Sequence, residues 1–214
     1  VRNPFPDPRT APKHGLLAVG GDLSVEMLLT AYDHGIFPWF NEGERPHWWS
    51  PDPRAVIDLE RLHVSKSLAR ALRSGRWTTS WNLAFRRVME ECGKRRREGT
   101  WIIPEMVRAY TRLHQLGHAH SIEVWNGETL VGGLYGVQRG GAFMAESMFH
   151  REANASKVAL VRAVQDLWAA GVRLFDVQFL TPHLKSMGAY EMDRADYLDQ
   201  LEAARLLAAR APNA

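Results

Sequence analysis

Residues 118–125 alternate as a strand, the dipeptide Asn126-Gly127 follows, and residues 129–138 return antiparallel. A two-residue Asn-Gly loop accepts the positive φ that a tight hairpin demands, so this stretch commits the chain to an antiparallel ribbon. The Arg-Gly-Gly turn at 139–141 then leads into a third strand at 142–149. Residues 154–170 follow as an amphipathic helix, with Val158, Leu160, Val161, Val164 and Leu167 among its apolar positions; Gly171 closes it and an apolar strand begins at Leu174. Three antiparallel strands, a helix packed across them and a strand beside the third give an α+β fold: a mixed sheet with packed helices and one αβ crossover.

The strand that follows this helix carries the chemistry. In GVRLFDVQFLTPHLKSMG, residues 171–188, the apolar run from Leu174 to Leu180 is interrupted by Asp176 and Gln178. Side chains two apart on a strand point the same way, so the carboxylate and the carboxamide are expected to meet. Burying an ionised Asp costs several kcal/mol unless it is paired, so packing alone would place Val or Leu here. A purely structural use is the alternative: Asp176 capping the following turn and Gln178 satisfying loop backbone. Glu146, inside the strand FMAESMF, is a second carboxylate whose burial requires a partner, and an ion pair to Lys157 or an Arg is its structural alternative.

The chain divides near residue 60. Residues 1–60, rich in Gly, Pro and Trp, are expected to form a small irregular N-terminal domain, and residues 61–214 the main one. In the first, a helix capped by Ser24 ends at Gly35; in the second, helices open at Ser65 and Pro104, and a last one runs over 194–210. A chain of 214 residues, 45% hydrophobic, buries a full core. No apolar stretch approaches the ~20 residues of a membrane span, and VRNPFPDPRTAPKHG lacks the layout of a signal peptide, so a cytoplasmic protein is expected. The single cysteine, Cys92, excludes an internal disulfide and reads as packing. His114, His118 and His120 lack a Cys or carboxylate in their cluster, so no metal is expected.

Net charge is only +3, yet 61–97 holds eleven Lys and Arg against Glu90 and Glu91. Lys66, Arg70 and Arg73 recur at spacings of four and three along one helix face, and Lys94, Arg95, Arg96 and Arg97 form a compact run. Such a patch is a footprint for phosphates, or else a solvated face.

The order of elements resembles the acyltransferase fold of acetyl-CoA-dependent N-acetyltransferases, where a Gly-rich loop before the helix cradles the coenzyme pyrophosphate. Here that connection reads HREANASK, without glycine, which points to an acyl group carried otherwise. G-G-D-L-S at 20–24, G-I-F-P-W-F at 35–40, W-W-S-P-D-P-R at 48–54, E-G-T-W-I at 98–102, H-Q-L-G-H-A-H-S-I-E-V-W at 114–125, V-G-G-x-Y-G-V at 131–137, E-S-M-F at 146–149, E-x-N-A-S-K at 152–157 and D-x-Q at 176–178 complete the pattern. Together, in order and over nearly the whole chain, they resemble the leucyl/phenylalanyl-tRNA–protein transferase family.

That resemblance implies an enzyme moving Leu or Phe from Leu-tRNA or Phe-tRNA to the N-terminal amine of proteins that begin with Lys or Arg, marking them for the N-degron route, with no cofactor. It implies a catalytic pair, Asp176 and Gln178, and a substrate site holding Glu146 with the donor's amine. It further implies an apolar pocket of Leu134, Phe143, Met148 and Leu160, Trp49 and Trp101 stacking on the tRNA 3′ end, and Thr181 where the family often has a polar amide. The basic residues between 61 and 97 would then contact the acceptor-stem backbone. An acetyl-CoA-dependent enzyme and a noncatalytic tRNA-binding module are the competing classes. No long apolar face is left unassigned, so a monomer is expected.

Overall fold

A computed structural model describes residues 3–94 and 100–212. The expected hairpin forms between β6 (Ala119–Asn126) and β7 (Thr129–Arg139), with Asn126 opposite Thr129 and Gly127 at φ +58°. Next, β8 (Ala142–His150) lies antiparallel to β7, and α5 (Ala155–Ala169) crosses to β9 (Leu174–Gln178). The β9 strand runs parallel to β8, placing Met144 opposite Asp176.

Three further strands complete this sheet. In chain order they are β4 (Arg54–Ile57), β5 (Thr78–Trp81) and β10 (Ala189–Met192), and the sheet order is β10-β4-β9-β8-β7-β6-β5. Thus β4, from the first sixty residues, lies inside the large sheet beside β9. A separate three-stranded sheet joins β1 (Leu16–Val19), β3 (His47–Trp49) and β2 (Phe37–Pro38) in that order.

Strand alternation sends side chains to two cores, one on each face of the large sheet. Tyr135, Val137 and Met144 pack on one face with α1 (Val25–Asp33), α3 (Phe85–Gly93), α4 (Pro104–Gln115) and α7 (Arg194–Arg205). Leu134, Phe143 and Phe175 pack on the other with α5, α2 (Lys66–Arg73) and α6 (Pro182–Ser186). Ser24 caps α1 by accepting from the Met27 amide, and Ser65 caps α2 in the same way through the Leu68 amide. Trp48 is buried in the first core and donates through Nε1 to the Gly20 carbonyl at 2.8 Å. Buried Arg194, at the start of α7, donates to the Ser50 carbonyl at 2.7 Å and the Pro12 carbonyl at 3.2 Å, tying the N-terminal segment to the last helix.

Two irregularities in the large sheet change where polar side chains point. Between β7 and β8 the register runs from Tyr135–Ser147 to Gly136–Ala145, leaving Glu146 as an extra residue on β8. Between β4 and β9 it runs from Val56–Asp176 to Ala55–Gln178, leaving Val177 as an extra residue on β9. Each is a bulge, which breaks the pleat and re-aims the neighbouring side chains. The strand expected to reach Leu180 stops at Gln178, where φ is +57° and the Phe179 amide turns back to the Val177 carbonyl at 2.7 Å. The C-terminal helix likewise ends at Arg205, short of the expected Arg210.

Candidate active site

Asp176 is wholly buried, and its partner is Arg54, 122 residues earlier. Arg54 Nε donates to Asp176 Oδ1 at 2.9 Å and Nη2 to Oδ2 at 2.6 Å, a bidentate pair. Its third nitrogen, Nη1, donates to the Gly35 carbonyl at 3.0 Å. The guanidinium lies over the rings of Phe37 and Tyr197, 4.8 and 4.5 Å from their centroids. Gly35 allows this approach: at φ +71°, a Cβ there would stand 2.6 Å from Leu198 Cδ2 and 2.9 Å from Tyr197 Cε1.

Asp176 and Gln178 are linked, but through the backbone rather than side chain to side chain. Asp176 Oδ1 accepts from the Gln178 amide at 2.8 Å, and Oδ2 accepts from the Tyr197 hydroxyl at 2.8 Å. With the bulge at Val177 and the left-handed φ of Gln178, the carboxamide swings instead toward β8, where Nε2 donates to Glu146 Oε1 at 3.2 Å. The strict two-residue alternation expected from sequence fails here because the bulge interrupts it. Asp176 therefore caps the turn that fixes Gln178.

Glu146 is held on its other side by Tyr32 of α1 and Tyr110 of α4, whose hydroxyls also hydrogen-bond to each other. Burial pushes its carboxyl up to about 8, and the Asp176 charge adds to this, while the tyrosine hydroxyls and Arg54 oppose it. Lys157 is not its partner. The bulge on β8 is what brings Glu146 out of the pleat and into the site.

Since β9 ends at Gln178 while β8 continues to His150, the two strands part and leave a cavity of about 310 Å³. Glu146, Gln178, Leu134 and Met148 line it, as do Trp39, Trp101, Phe179, Thr181 and His183. Its mouth is aromatic. Trp39 and Phe179 are each 41% exposed and lie 5.8 Å apart, and the Phe37 ring stands edge-on to Phe179 at 6.0 Å. Exposed aromatic rings at the lip of an apolar cavity are suited to a planar or apolar ligand.

Not all of the other residues singled out from sequence line this cavity. Trp49 stands behind the lip: its Nε1 donates to the Trp39 carbonyl at 2.7 Å and its ring packs on Trp39 at 5.8 Å. Phe143 and Leu160 are fully buried in the core with Leu134 and are not among the lining residues. The Thr181 hydroxyl caps α6 by accepting from the Leu184 amide at 3.2 Å. Lys66, Arg70 and Arg73 are exposed on α2. Lys94 is tied to Glu91 at 2.8 Å, and Glu91 also binds Arg151 at 2.7 Å. Arg95, Arg96 and Arg97 lie outside the described residues. Of the histidines, His114 stacks on Phe85 at 4.4 Å and His120 meets Asn82 at 3.2 Å, its pKa lowered by burial to about 4.

Sequence reasoning did not find Arg54, Tyr197, Tyr32, Tyr110, Trp39 or Phe179. A signal existed for one of them: a buried Asp demands a cation, and W-W-S-P-D-P-R supplies Arg54 just before an apolar strand. Breaking this pair is costly. Asp176→Asn keeps the shape but leaves Arg54 buried without a counter-charge, and urea unfolding should show a loss of about 3–5 kcal/mol. Unchanged stability would contradict the reading of Asp176 as a structural anchor.

Comparison with known proteins identifies the family. Residues 56–202 match the family model described as leucyl/phenylalanyl-tRNA protein transferase, and residues 21–52 match that of its N-terminal domain. A leucyl/phenylalanyl-tRNA–protein transferase of Anaeromyxobacter sp. (strain Fw109-5) is 57% identical over 200 residues, covering 92% of this chain and 85% of that protein. One from Salmonella heidelberg (strain SL476) is 51% identical over 203 residues, covering 94% and 87%. Among solved structures, L-PGS from Bacillus licheniformis is similar at a TM-score of 0.40 and 15% identity, over 76% of this chain and 55% of that one. A GCN5-related N-acetyltransferase-like protein from Streptococcus suis 89/1591 gives 0.35 and 14%, over 78% and 65%. With two family models spanning most of its length and relatives above half identity, the chain belongs to the leucyl/phenylalanyl-tRNA–protein transferase family and is an aminoacyltransferase.

Proposed function

We propose that the protein transfers Leu or Phe from its aminoacyl-tRNA to the N-terminal amine of proteins beginning with Lys or Arg, marking them for N-degron degradation. It acts in the cytoplasm, as a monomer and without a cofactor. No helix among the described residues is long and apolar enough to cross a membrane.

The observation that carries this reading is the cavity where β8 and β9 part. It combines an apolar wall of Leu134 and Met148, a polar floor of Glu146 and Gln178, and an aromatic mouth. An aminoacyl ester has matching parts: an apolar side chain, a reacting ester with a free amine, and a terminal adenosine. Trp101 and Trp39, the latter braced by Trp49, suit the adenine, since stacking on aromatic side chains is worth about 1–3 kcal/mol per base. The donor side chain meets Leu134 and Met148, with Phe143 and Leu160 shaping the wall from within the core. Thr181 borders the mouth.

The ester is already activated, so the enzyme's task is to orient the amine and stabilise charge that develops on the carbonyl oxygen. Gln178, whose amide is fixed by the turn that Asp176 caps, directs its carboxamide at the reacting group. Asp176 acts through that backbone. The exposed Lys66, Arg70 and Arg73, together with Lys94, Arg95, Arg96 and Arg97, fit the acceptor-stem phosphates.

Single-turnover transfer of labelled Leu from Leu-tRNA tests the function. A peptide with N-terminal Arg should be labelled and the same peptide with N-terminal Glu should not; equal labelling, or none with Arg, would overturn the proposal. Changing Lys66, Arg70 and Arg73 together to Glu should weaken Leu-tRNA binding and flatten its dependence on salt, with turnover at saturating tRNA nearly unchanged. Wild-type affinity and salt slope in this triple variant would return the patch to a solvated face.

A further inference from the structure

Peptide-bond formation by an amine releases a proton from nitrogen, and the site must receive it. Asp176 cannot. Its two oxygens accept four hydrogen bonds, from Arg54 Nε and Nη2, the Gln178 amide and the Tyr197 hydroxyl, which fill its lone pairs. It is also sealed from the cavity. The Gln178 carboxamide is not a base at physiological pH, and the Tyr32 and Tyr110 phenols, buried and pushed well above their ordinary range, serve as donors. Burial holds His183 toward the neutral imidazole, but its Nε2 has no accessible surface.

Glu146 differs from all of these. The bulge on β8 turns it into the cavity, one of its oxygens lies 3.2 Å from Gln178 Nε2, and the two tyrosine hydroxyls steady it from behind. We infer that Glu146 is a catalytic residue that takes the proton from the attacking acceptor amine. This rests on the proposed function and assigns its proton acceptor. The amine nitrogen bonds to the ester carbonyl carbon while its N–H proton passes to the Glu146 carboxylate. The bond from that carbon to the ribose oxygen then breaks, the electron pair stays on oxygen, and the proton returns from Glu146 to this oxygen. The products are an amide and a free ribose hydroxyl, and the carboxylate is restored.

The charged and titratable groups around Glu146 set its strength as a base. Burial raises its carboxyl, and Asp176 of β9 raises it further; Arg54 of β4 and the hydroxyls of Tyr32 on α1 and Tyr110 on α4 draw it back, leaving it at about 8. A general base is most efficient when its value lies near the operating pH, as about 8 does. The active carboxylate form is lost as pH falls below its own value, so the transfer rate should fall with it.

The test uses the full-length protein in single-turnover transfer at saturating Phe-tRNA, with rates followed from pH 6 to 9.5, on the order of the window around this value. An acceptor peptide beginning with an alkoxyamine remains unprotonated over this range, so a limb that also appears with a donor lacking the α-amino group belongs to the enzyme. Wild type should show the limb. Glu146→Gln should lower the plateau about 10²-fold or more and abolish the limb, while Glu146→Asp should keep a limb at reduced rate. The Gln variant removes a buried charge and should fold, as thermal unfolding will report.

A second donor separates proton transfer from simple holding of the donor's ammonium group. With phenyllactyl-tRNA, which lacks that group, the Glu146→Gln loss should persist. With this donor, a loss that vanishes, a limb that survives in Glu146→Gln, or a limb that disappears only in His183→Asn would each overturn the inference. Wild-type transfer in the same assay reports on the proposed function: absent, that reading falls and the inference with it; present alongside a full-rate Glu146→Gln enzyme, only the inference falls.

Discussion

The buried pair of Arg54 and Asp176 is the interaction on which the site depends. It joins the first strand of the large sheet in chain order, β4, to β9, the strand that carries Asp176 and Gln178. The same guanidinium reaches the Gly35 carbonyl before β2 and packs between Phe37 and Tyr197 of α7. Segments from both ends of the chain thus converge on one ion pair. A buried pair is weak evidence for net stability, since desolvating both charges offsets much of their attraction. What it gives here is position: with two oxygens engaged by four donors, Asp176 has one orientation, and the Gln178 amide that it holds has one as well.

That anchor shapes the rest of the site. The bulge at Val177 and the positive φ of Gln178 end β9 while β8 runs on, and the gap between them becomes the cavity. A second bulge delivers Glu146 to the same place from the other strand. Two carboxylates close together are thereby given different environments. Asp176 is compensated by Arg54 and sealed from the cavity; Glu146 faces the cavity with its carboxyl raised to about 8. Environments that separate two carboxylates in this way assign them different tasks.

Much of this was legible in the sequence, for identifiable reasons. Asn126-Gly127, Gly171 and the alternation of β6 are local signals, and the β6-β7-β8-β9 order and the placement of α5 follow from them. Asp176, Gln178 and Glu146 stood out because polar residues interrupt apolar strands. Their geometry did not, because a bulge depends on the register against a neighbouring strand, which one strand's pattern does not contain. The partner of Asp176 lies 122 residues away, a separation that only the folded sheet closes. Tryptophan was also ambiguous: 1–60 offers three, and which faces the cavity is decided by the pairing of β2 with β3, which puts Trp39 at the lip and Trp49 behind it.

The central claim is that Arg54 and Asp176 act by positioning Gln178, apart from any contribution to folding. Replacing both by apolar residues of similar size, Arg54→Met with Asp176→Leu, leaves no unpaired charge, and such exchanges often preserve or raise stability. The decisive measurement is single-turnover transfer by this double variant alongside its affinity for Leu-tRNA. The account predicts a folded protein that binds Leu-tRNA within a few-fold of wild type yet transfers Leu about 10²-fold more slowly or worse. A folded double variant that transfers Leu at the wild-type rate would contradict it.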